Sequence, residues 1–180
     1  MSYDPPRPVG RLLLTPEDRE APARTVRLRQ LGLGERPEPA LDAFAVGLAE
    51  RAGAPYAMVN FVAEHGQFLA GLHCPHPGSL PGRSLPREVG FCPHVVVRRR
   101  ALALEDVRDY PRFATNPIVD EYGIRSYLGA PLADSTGMVL GTVCVADAVP
   151  RRWGRDGLET IKAVAAQLAR HLEGTAGAFW

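Results

Sequence analysis

The sequence has few of the features that mark an exported, membrane-spanning or nucleic-acid-binding protein. Its longest apolar run near the start, residues 12–14, is far too short for a signal peptide or a membrane-spanning helix. The cysteines number three, an odd count that argues against a disulfide framework. The net charge is +1, so electrostatics gives no reason to expect nucleic acid or an acidic membrane as a partner. These absences together predict a cytoplasmic protein with reduced thiols.

The composition that remains is that of a globular domain. With 180 residues, 46% of them hydrophobic and 23% charged, the chain is long enough for one domain with a sizeable core. Ahead of that domain, the proline-rich residues 1–11 predict a loose arm. Thr15 before Pro16 then predicts a short helix that Pro22 ends, and residues 25–31 predict a second short helix.

The stretch 126–147 organises the rest of the chain. Two apolar runs, residues 127–132 and 138–146, flank the polar, glycine-containing residues 134–137, and this pattern predicts a hairpin. The second run is rich in β-branched residues and almost free of charge, as expected for a strand buried on both faces. The hairpin should therefore lie in the middle of a sheet.

Hydrophobic spacing predicts the elements before this hairpin. A helix should begin near Pro39 and end at Gly53, because apolar residues recur there at helical intervals. Residues 56–63 and 67–73 predict a second hairpin. Residues 74–87, with many prolines and glycines, predict a loop, and a short helix follows it.

The terminal helix, predicted over residues 156–173, carries an apolar stripe with a 3.5-residue repeat that Val164 widens. Such a stripe can cover a sheet and also pair with a partner helix, so it predicts a homodimer. The residues of the stripe are Leu158, Ile161, Ala165, Leu168 and Leu172.

Several spaced motifs make the chain similar to a known family. Glycine, proline, asparagine and aspartate recur in them where turns and closely packed strands require such residues. The motifs read Phe91-Cys92-x-His94, Asp109-x-Pro111-Arg112-Phe113-x-x-Asn116-Pro117, Gly129-Ala130-Pro131-Leu132 and Leu140-Gly141-Thr142-x-Cys144-Val145-x-Asp147. In these residues the chain resembles a bacterial GAF domain, over about residues 38–173.

The resemblance implies an α+β fold: an antiparallel sheet of five or six strands, with N- and C-terminal helices on one face and pocket loops and short helices on the other. It divides the chain into an N-terminal arm with short helical segments (1–37), the GAF domain (38–173) and a C-terminal tail (174–180). The implied function is signal transduction by a small-molecule-sensing or regulatory module, although a GAF fold can also serve only as a scaffold. Because no output segment follows residue 173, the module is expected to act through dimerisation or a separate signalling protein.

Alignment with the family, combined with strand alternation, predicts the side chains around a ligand pocket. These side chains either line a pocket or fill an ordinary core. A lining of rings, one hydroxyl and thiols, without a carboxylate, favours a small, largely apolar ligand that is not strongly cationic. The sequence identifies neither that ligand nor a cofactor. The predicted pocket residues are Phe61, Phe91, Cys92, Val95, Phe113, Tyr127, Leu140, Thr142 and Cys144.

Cys92 supports an alternative function. At a helix start beside His94 its thiol pKa would be lowered, which suits a thiol-based redox enzyme or sensor that uses these two residues. Free methionine-(R)-sulfoxide reductases, an enzymatic GAF branch, have a cysteine at the same place. The match ends there, because that family's catalytic cysteine falls at about Asp120 and its substrate-binding carboxylates fall at uncharged residues. The favoured function is therefore not an enzyme, and a small buried side chain at a helix start is the commoner role for a cysteine such as Cys92.

Metal and haem binding are weaker hypotheses. The sequence Cys-Pro-His occurs at residues 74–76 and again at 92–94, and these are residue types that bind zinc. One intervening residue makes chelation by the same tripeptide awkward. Haem ligation by His94 has little support, because a lone histidine is more often structural. The sequence thus predicts no metal site.

Overall fold

The computed structural model describes residues 15–176, and within them no helix is both long enough and apolar enough to cross a membrane. The predicted arm at residues 1–11 and the last part of the predicted tail, residues 177–180, lie outside the described residues. The helices are α1 (Ala21–Leu31), α2 (Pro39–Ala52), α3 (Cys92–Arg98), α4 (Pro111–Ala114), α5 (Pro117–Tyr122) and α6 (Gly154–Ala176). The strands are β1 (Tyr56–Val62), β2 (Gln67–His73), β3 (Ser84–Leu85), β4 (Leu102–Leu104), β5 (Ser126–Ala133) and β6 (Val139–Asp147).

The strands form one antiparallel sheet in the order β3-β2-β1-β6-β5-β4. Six strands with helices confirm the predicted α+β fold. The predicted central hairpin is also confirmed: β6 lies beside β1 in the middle of the sheet and is buried along all but its last residue. In its turn, the Asp134 carboxylate accepts hydrogen bonds from the amides of Thr136 and Met138 at 2.9 and 3.0 Å, and Gly137 takes the left-handed φ of 85° that the reversal requires.

One face of the sheet, which we call the helical face, is covered by α1, α2 and α6. Gly71 in β2 allows α2 to approach, because a Cβ atom there would lie 2.5 Å from the carbonyl oxygen of Leu41. The helix α6 buries most of its predicted stripe against the sheet within the same chain. The α6 residues in this core are Ile161, Val164, Ala165, Leu168, Ala169 and Leu172.

The opposite face, which we call the loop face, is covered by α3, α4, α5 and by residues 74–90, the covering segment. Asn116 fixes the end of the covering segment by a hydrogen bond to Gly90. Its motif had suggested a turn-forming role for this asparagine. Its Oδ1 accepts hydrogen bonds from the amides of Gly90 and Ile118 at 2.8 and 3.1 Å, and the second of these caps α5. Terminal helices on one face and short helices on the other confirm the predicted layering.

The predicted helix beginning at Thr15 is wrong. Residues 15–18 are not helical, and a single helix, α1, runs from Ala21 to Leu31, with Pro22 in its first turn. Proline is well tolerated in the first turn of a helix, where its missing amide hydrogen has no intrahelical partner, so Pro22 marks a start and not an end. Leu28 then places α1 in the core of the helical face.

Candidate functional site

Two of the predicted pocket residues, Phe61 and Leu140, do not face the pocket but lie in the core of the helical face. Phe61 follows the alternation of β1, in which Val59 also faces the helices and Met58 faces the loop side. Leu140 is displaced by a β-bulge: Leu132 pairs with Gly141, whereas the next residue of β5 pairs with Val139. The extra residue reverses the alternation, which a strict period of two cannot anticipate.

The other predicted pocket residues come together on the loop face. Phe91 is central, with its ring 5.7 Å from that of Phe113 and 5.3 Å from that of Tyr127, both in edge-to-face geometry. Thr142 projects from β6 toward the first turn of α3, where its hydroxyl donates to Cys92 Sγ at 3.0 Å. The predicted residues found in the loop-face core are Phe91, Cys92, Val95, Phe113, Tyr127 and Cys144.

A cavity of about 40 Å³ lies among these residues, beneath the covering segment. It has room for only a few water molecules, whereas sites for drug-sized ligands measure about 300–1,000 Å³. Its wall is largely apolar and includes Leu80, Leu85 and Val89 of the covering segment. Two polar residues, Asn60 and Gln67, also line it. Neither residue was predicted from the sequence, although Asn60 is the one amide side chain of the largely apolar strand β1.

The Cys92 thiol is the chemical centre of this site. Its sulfur lies 3.8 Å from Cys144 Sγ, 3.3 Å from the Tyr127 hydroxyl and 3.0 Å from Thr142 Oγ1. Hydrogen bonding to Cys144, with smaller contributions from Thr142 and Tyr127, lowers the pKa of Cys92 to about 6 despite burial. The same hydrogen bond and burial raise the pKa of Cys144 well above its usual value. The arrangement favours one thiolate, at Cys92, surrounded by donors.

Asn60 and Gln67 connect this thiol to the covering segment. Gln67 Nε2 donates to the carbonyl oxygens of Pro86 and Val89 at 2.7 and 2.9 Å, which fixes the orientation of the Gln67 amide. Gln67 Oε1 must therefore accept, and it does so from Asn60 Nδ2 at 2.8 Å. Asn60 is also among the hydrogen-bonding groups that lower the pKa of Cys92. Its Oδ1 is buried and has no hydrogen-bond partner in residues 15–176.

His94 is not part of this thiol site, so the predicted pairing of Cys92 with His94 is wrong. The imidazole packs edge-on against Phe113, with 4.9 Å between ring centroids. Burial, together with the guanidinium groups of Arg112 and Arg98, lowers the pKa of His94 to about 4. The neutral ring would be a poor source of positive charge for the thiol, and the donors around Cys92 replace it in that role.

The other Cys-Pro-His sequence, residues 74–76, is also separate from the thiol site. Cys74 begins the covering segment, and its sulfur lies 3.5 Å from the carbonyl oxygen of His76. Over the described range, 15–176, histidine, cysteine and acidic side chains form no group of three that could hold a metal ion.

Comparison with protein families and known proteins agrees with this architecture. The model of the GAF domain family matches residues 36–172, which is most of the chain. A cyclic di-GMP phosphodiesterase of Pseudomonas aeruginosa is 35% identical over 141 residues. The match covers 76% of this chain but only 22% of that protein.

Solved structures with low sequence identity share the fold. The free methionine-R-sulfoxide reductase of Neisseria meningitidis, solved with its substrate, superposes with a TM-score of 0.64 at 19% identity, covering 77% of this chain and 78% of that one. The GAF domain of a phosphoenolpyruvate-protein phosphotransferase from Coxiella burnetii gives a TM-score of 0.63 at 18% identity, with 87% and 94% of the two chains covered. At these identities the likeness concerns the fold alone.

Proposed function

This chain belongs to the GAF domain family, and from that premise we propose that it is a cytoplasmic sensing or regulatory module whose ligand binds in the loop-face cavity. The observation that carries the proposal is a small, largely apolar cavity lined by Asn60, whose buried Oδ1 accepts no hydrogen bond from any residue in 15–176. A buried acceptor without a donor is costly, and a bound group that donates a hydrogen would remove that cost.

The lining restricts the chemistry of the ligand. It contains aromatic and aliphatic side chains, thiols, a phenol and two amides, but no carboxylate that would pair with a cation. We therefore expect a small, largely apolar or aromatic molecule with one hydrogen-bond donor. Because the cavity measures about 40 Å³, a larger molecule requires the covering segment to move outward. That movement is a means by which binding would reach the protein surface.

We propose that ligand-dependent movement changes contacts with a separate signalling protein or with a dimer partner. The phosphodiesterase activity named for the Pseudomonas aeruginosa relative belongs to a protein of which this chain matches 22%. We therefore propose regulation of an output activity, not that activity itself.

Thermal-shift screening of small apolar and aromatic compounds, followed by calorimetry, tests the sensor function. Tyr127→Ala and Asn60→Leu should weaken binding of a hit by tenfold or more, whereas Cys92→Ser should change it little. Phe61→Leu, on the helical face, is the control for a general loss of core packing. Equal weakening by Phe61→Leu and Asn60→Leu would show that the cavity is not the ligand site.

A second candidate function is thiol redox chemistry, favoured by the lowered pKa of Cys92 and the nearby Cys144 sulfur. With a peroxide as oxidant, the Cys92 thiolate would attack one oxygen, and the O–O bond would break to give a sulfenic acid and a departing hydroxide or alkoxide ion. The Cys144 thiol would then attack the Cys92 sulfur, forming a disulfide and releasing water. The two sulfurs would have to close from 3.8 Å to about 2 Å.

Mass spectrometry after exposure to hydrogen peroxide tests this second function. The expected product is a Cys92–Cys144 disulfide, and Cys144→Ser should stop the reaction at a sulfenic acid that dimedone traps. Cys74→Ser is the control and should leave the product unchanged. Turnover of methionine sulfoxide that disappears in Cys92→Ser would favour the enzyme over the sensor. Inert Cys92 in a folded protein would contradict the redox function.

A further inference from the structure

We propose that the outer side of α3 forms an oxyanion site, separate from the loop-face cavity, in which His94, Thr115, Arg98 and Arg112 bind a phosphate-bearing small molecule. We call these four residues the α3 anion site. The site goes beyond the sensing function proposed above, because it would select ligands of opposite character to those that fit the apolar cavity.

Two buried polar atoms without partners identify the site. His94 is 4% exposed, yet its Nδ1 forms no hydrogen bond with any described residue, and the same holds for Thr115 Oγ1. Both residues line one small cavity of about 30 Å³, together with Arg112 and Asn116. Buried polar atoms are nearly always hydrogen-bonded, so two such atoms around one cavity indicate a bound group.

The surroundings of this cavity are positively charged. Arg98 and Arg112 lie close enough to His94 to lower its pKa, in addition to the effect of burial. Across residues 15–176 neither guanidinium forms an ion pair, and neither does that of Arg100. Although the exposed Glu88 also lines the cavity, two guanidinium groups that form no ion pair beside a buried imidazole are suited to an anion.

The adjacent surface provides room for the ligand. His94, Arg98 and Arg100 line an open hollow of about 490 Å³ at the C-terminal end of α3. His94 therefore borders both the hollow and the small buried cavity. One oxygen of a phosphate group can reach His94 and Thr115 in the cavity while the remaining charge meets the arginines. The rest of the molecule then lies in the hollow.

Arg99, which lies between Arg98 and Arg100, makes a structural contact and is not part of the proposed site. It adopts a left-handed φ of 56° at the C-terminus of α3 and donates to the Glu20 carboxylate at 3.0 and 3.1 Å. Arg99 is thus used in the fold. Arg98 and Arg100 flank it, and they border the same hollow as His94.

Binding of an anion should be linked to protonation of His94. Arg112 from α4 and Arg98 from α3 lower the pKa of this imidazole, and the exposed Glu88 of the covering segment lines the same small cavity. An anion beside the ring offsets the two arginines and favours the imidazolium, so its pKa should rise on binding. By reciprocity, phosphate should bind the protonated protein more tightly.

The experiment follows the His94 ring signals by NMR as the pH is varied, in inorganic phosphate and in chloride at equal ionic strength. The His94→Asn variant, which lacks these signals, assigns them to His94. Phosphate should raise the pKa by about one unit, corresponding to about tenfold tighter binding to the protonated form. Arg98→Gln, Arg112→Gln and Thr115→Val should each reduce the rise, and Glu88→Gln should increase it.

Arg170→Gln provides the matched control, because Arg170 lies on α6 across the sheet. Loss of the Arg170 guanidinium should leave the phosphate-induced rise of the His94 pKa unchanged. The proposal is overturned if wild-type protein shows the same His94 titration in phosphate and in chloride, or if Arg170→Gln acts as strongly as Arg98→Gln. The wild-type comparison requires no variant, so it decides the question even where a substitution impairs folding.

Discussion

At the scale of single residues, buried polar side chains join elements that are distant in the sequence, and the composition of the chain does not predict them. Arg24 is fully buried, although arginine is rarely so, and it is held by three hydrogen bonds. Its guanidinium makes two bonds to the Asp18 carboxylate at 2.6 and 3.1 Å, and Nε donates to the carbonyl oxygen of Val139 at 2.6 Å. The pair joins α1 to the start of β6.

Arg24→Met should destabilise the protein by about 3 kcal/mol, because it leaves the buried Asp18 carboxylate with only the more distant Arg87 guanidinium, 3.4 Å away. Urea denaturation followed by circular dichroism measures the change. The double variant with Asp18→Asn should recover part of the loss. Arg19→Met is the control, since its exposed ion pair contributes roughly 0–1 kcal/mol. Equal losses for Arg24→Met and Arg19→Met would contradict the argument.

Single residues can be predicted from the sequence where local geometry decides their role, but not where distant partners do. The close approach expected at Gly141 is confirmed, because a Cβ atom there would collide with the carbonyl oxygen of Asn60. The helix start and His94 were expected to lower the pKa of Cys92. It is lowered instead by the donors Cys144 and Thr142, which lie on a strand about fifty residues away in the sequence. Long-range partners of this kind follow from packing, and no local pattern encodes them.

At the scale of elements, periodicity predicted most of the architecture. Both hairpins, α2 with its left-handed Gly53, and α6 follow from apolar spacing and turn residues. The wrong predictions are those in which a single residue changes the direction of a side chain or the start of a helix. The bulge at Leu140 reverses a strand's alternation, and Pro22 begins a helix that it was expected to end. Such features depend on register and on packing against the sheet, which spacing does not specify.

We expect the hydrogen bonds of Gln67 to limit the opening of the covering segment. It is 4% exposed and joins Asn60 to the carbonyl oxygens of Pro86 and Val89. Gln67→Met removes these bonds and leaves buried groups unsatisfied, at about 1–3 kcal/mol. Hydrogen exchange of amides in residues 84–90 should therefore accelerate by roughly 10- to 100-fold.

The exposed Gln167→Met on α6 is the control for this prediction. Exchange in β6 should be the same in both variants. Unchanged exchange in residues 84–90 of Gln67→Met would show that other contacts, such as those of Asn116, hold the segment by themselves.

At the scale of the whole molecule, the homodimer stays a prediction. The stripe that motivated it is largely used inside the chain, because Ile161, Val164 and Leu168 are buried against the sheet. A dimer would therefore need other apolar surface, such as the exposed Val26 and Val46 of α1 and α2. Sedimentation at tens of micromolar should show a dimer, and a monomer would contradict the prediction.

One buried base, His94, should contribute to the loss of stability in acid. The pKa of His94 falls from about 6.5 in the unfolded chain to about 4 in the folded protein. Above pH 6.5 the ring is neutral in both states and contributes nothing. Between pH 6.5 and pH 4 the unfolded chain binds a proton that the folded protein excludes, so stability falls as the pH decreases, and below pH 4 this loss is complete. The total is about 3 kcal/mol.

Urea denaturation of wild-type protein and His94→Leu across this pH range isolates the effect. Other groups titrate in both proteins, so the difference between their unfolding free energies reports His94 alone, and it should change by about 3 kcal/mol between pH 6.5 and pH 4. His171→Leu, at an exposed residue of α6, is the control and should show no such change. Phosphate should reduce the slope for wild-type protein, because an anion beside His94 raises its folded-state pKa toward the unfolded value. A difference that is independent of pH would mean that the folded protein accepts the proton on His94 as readily as the unfolded chain.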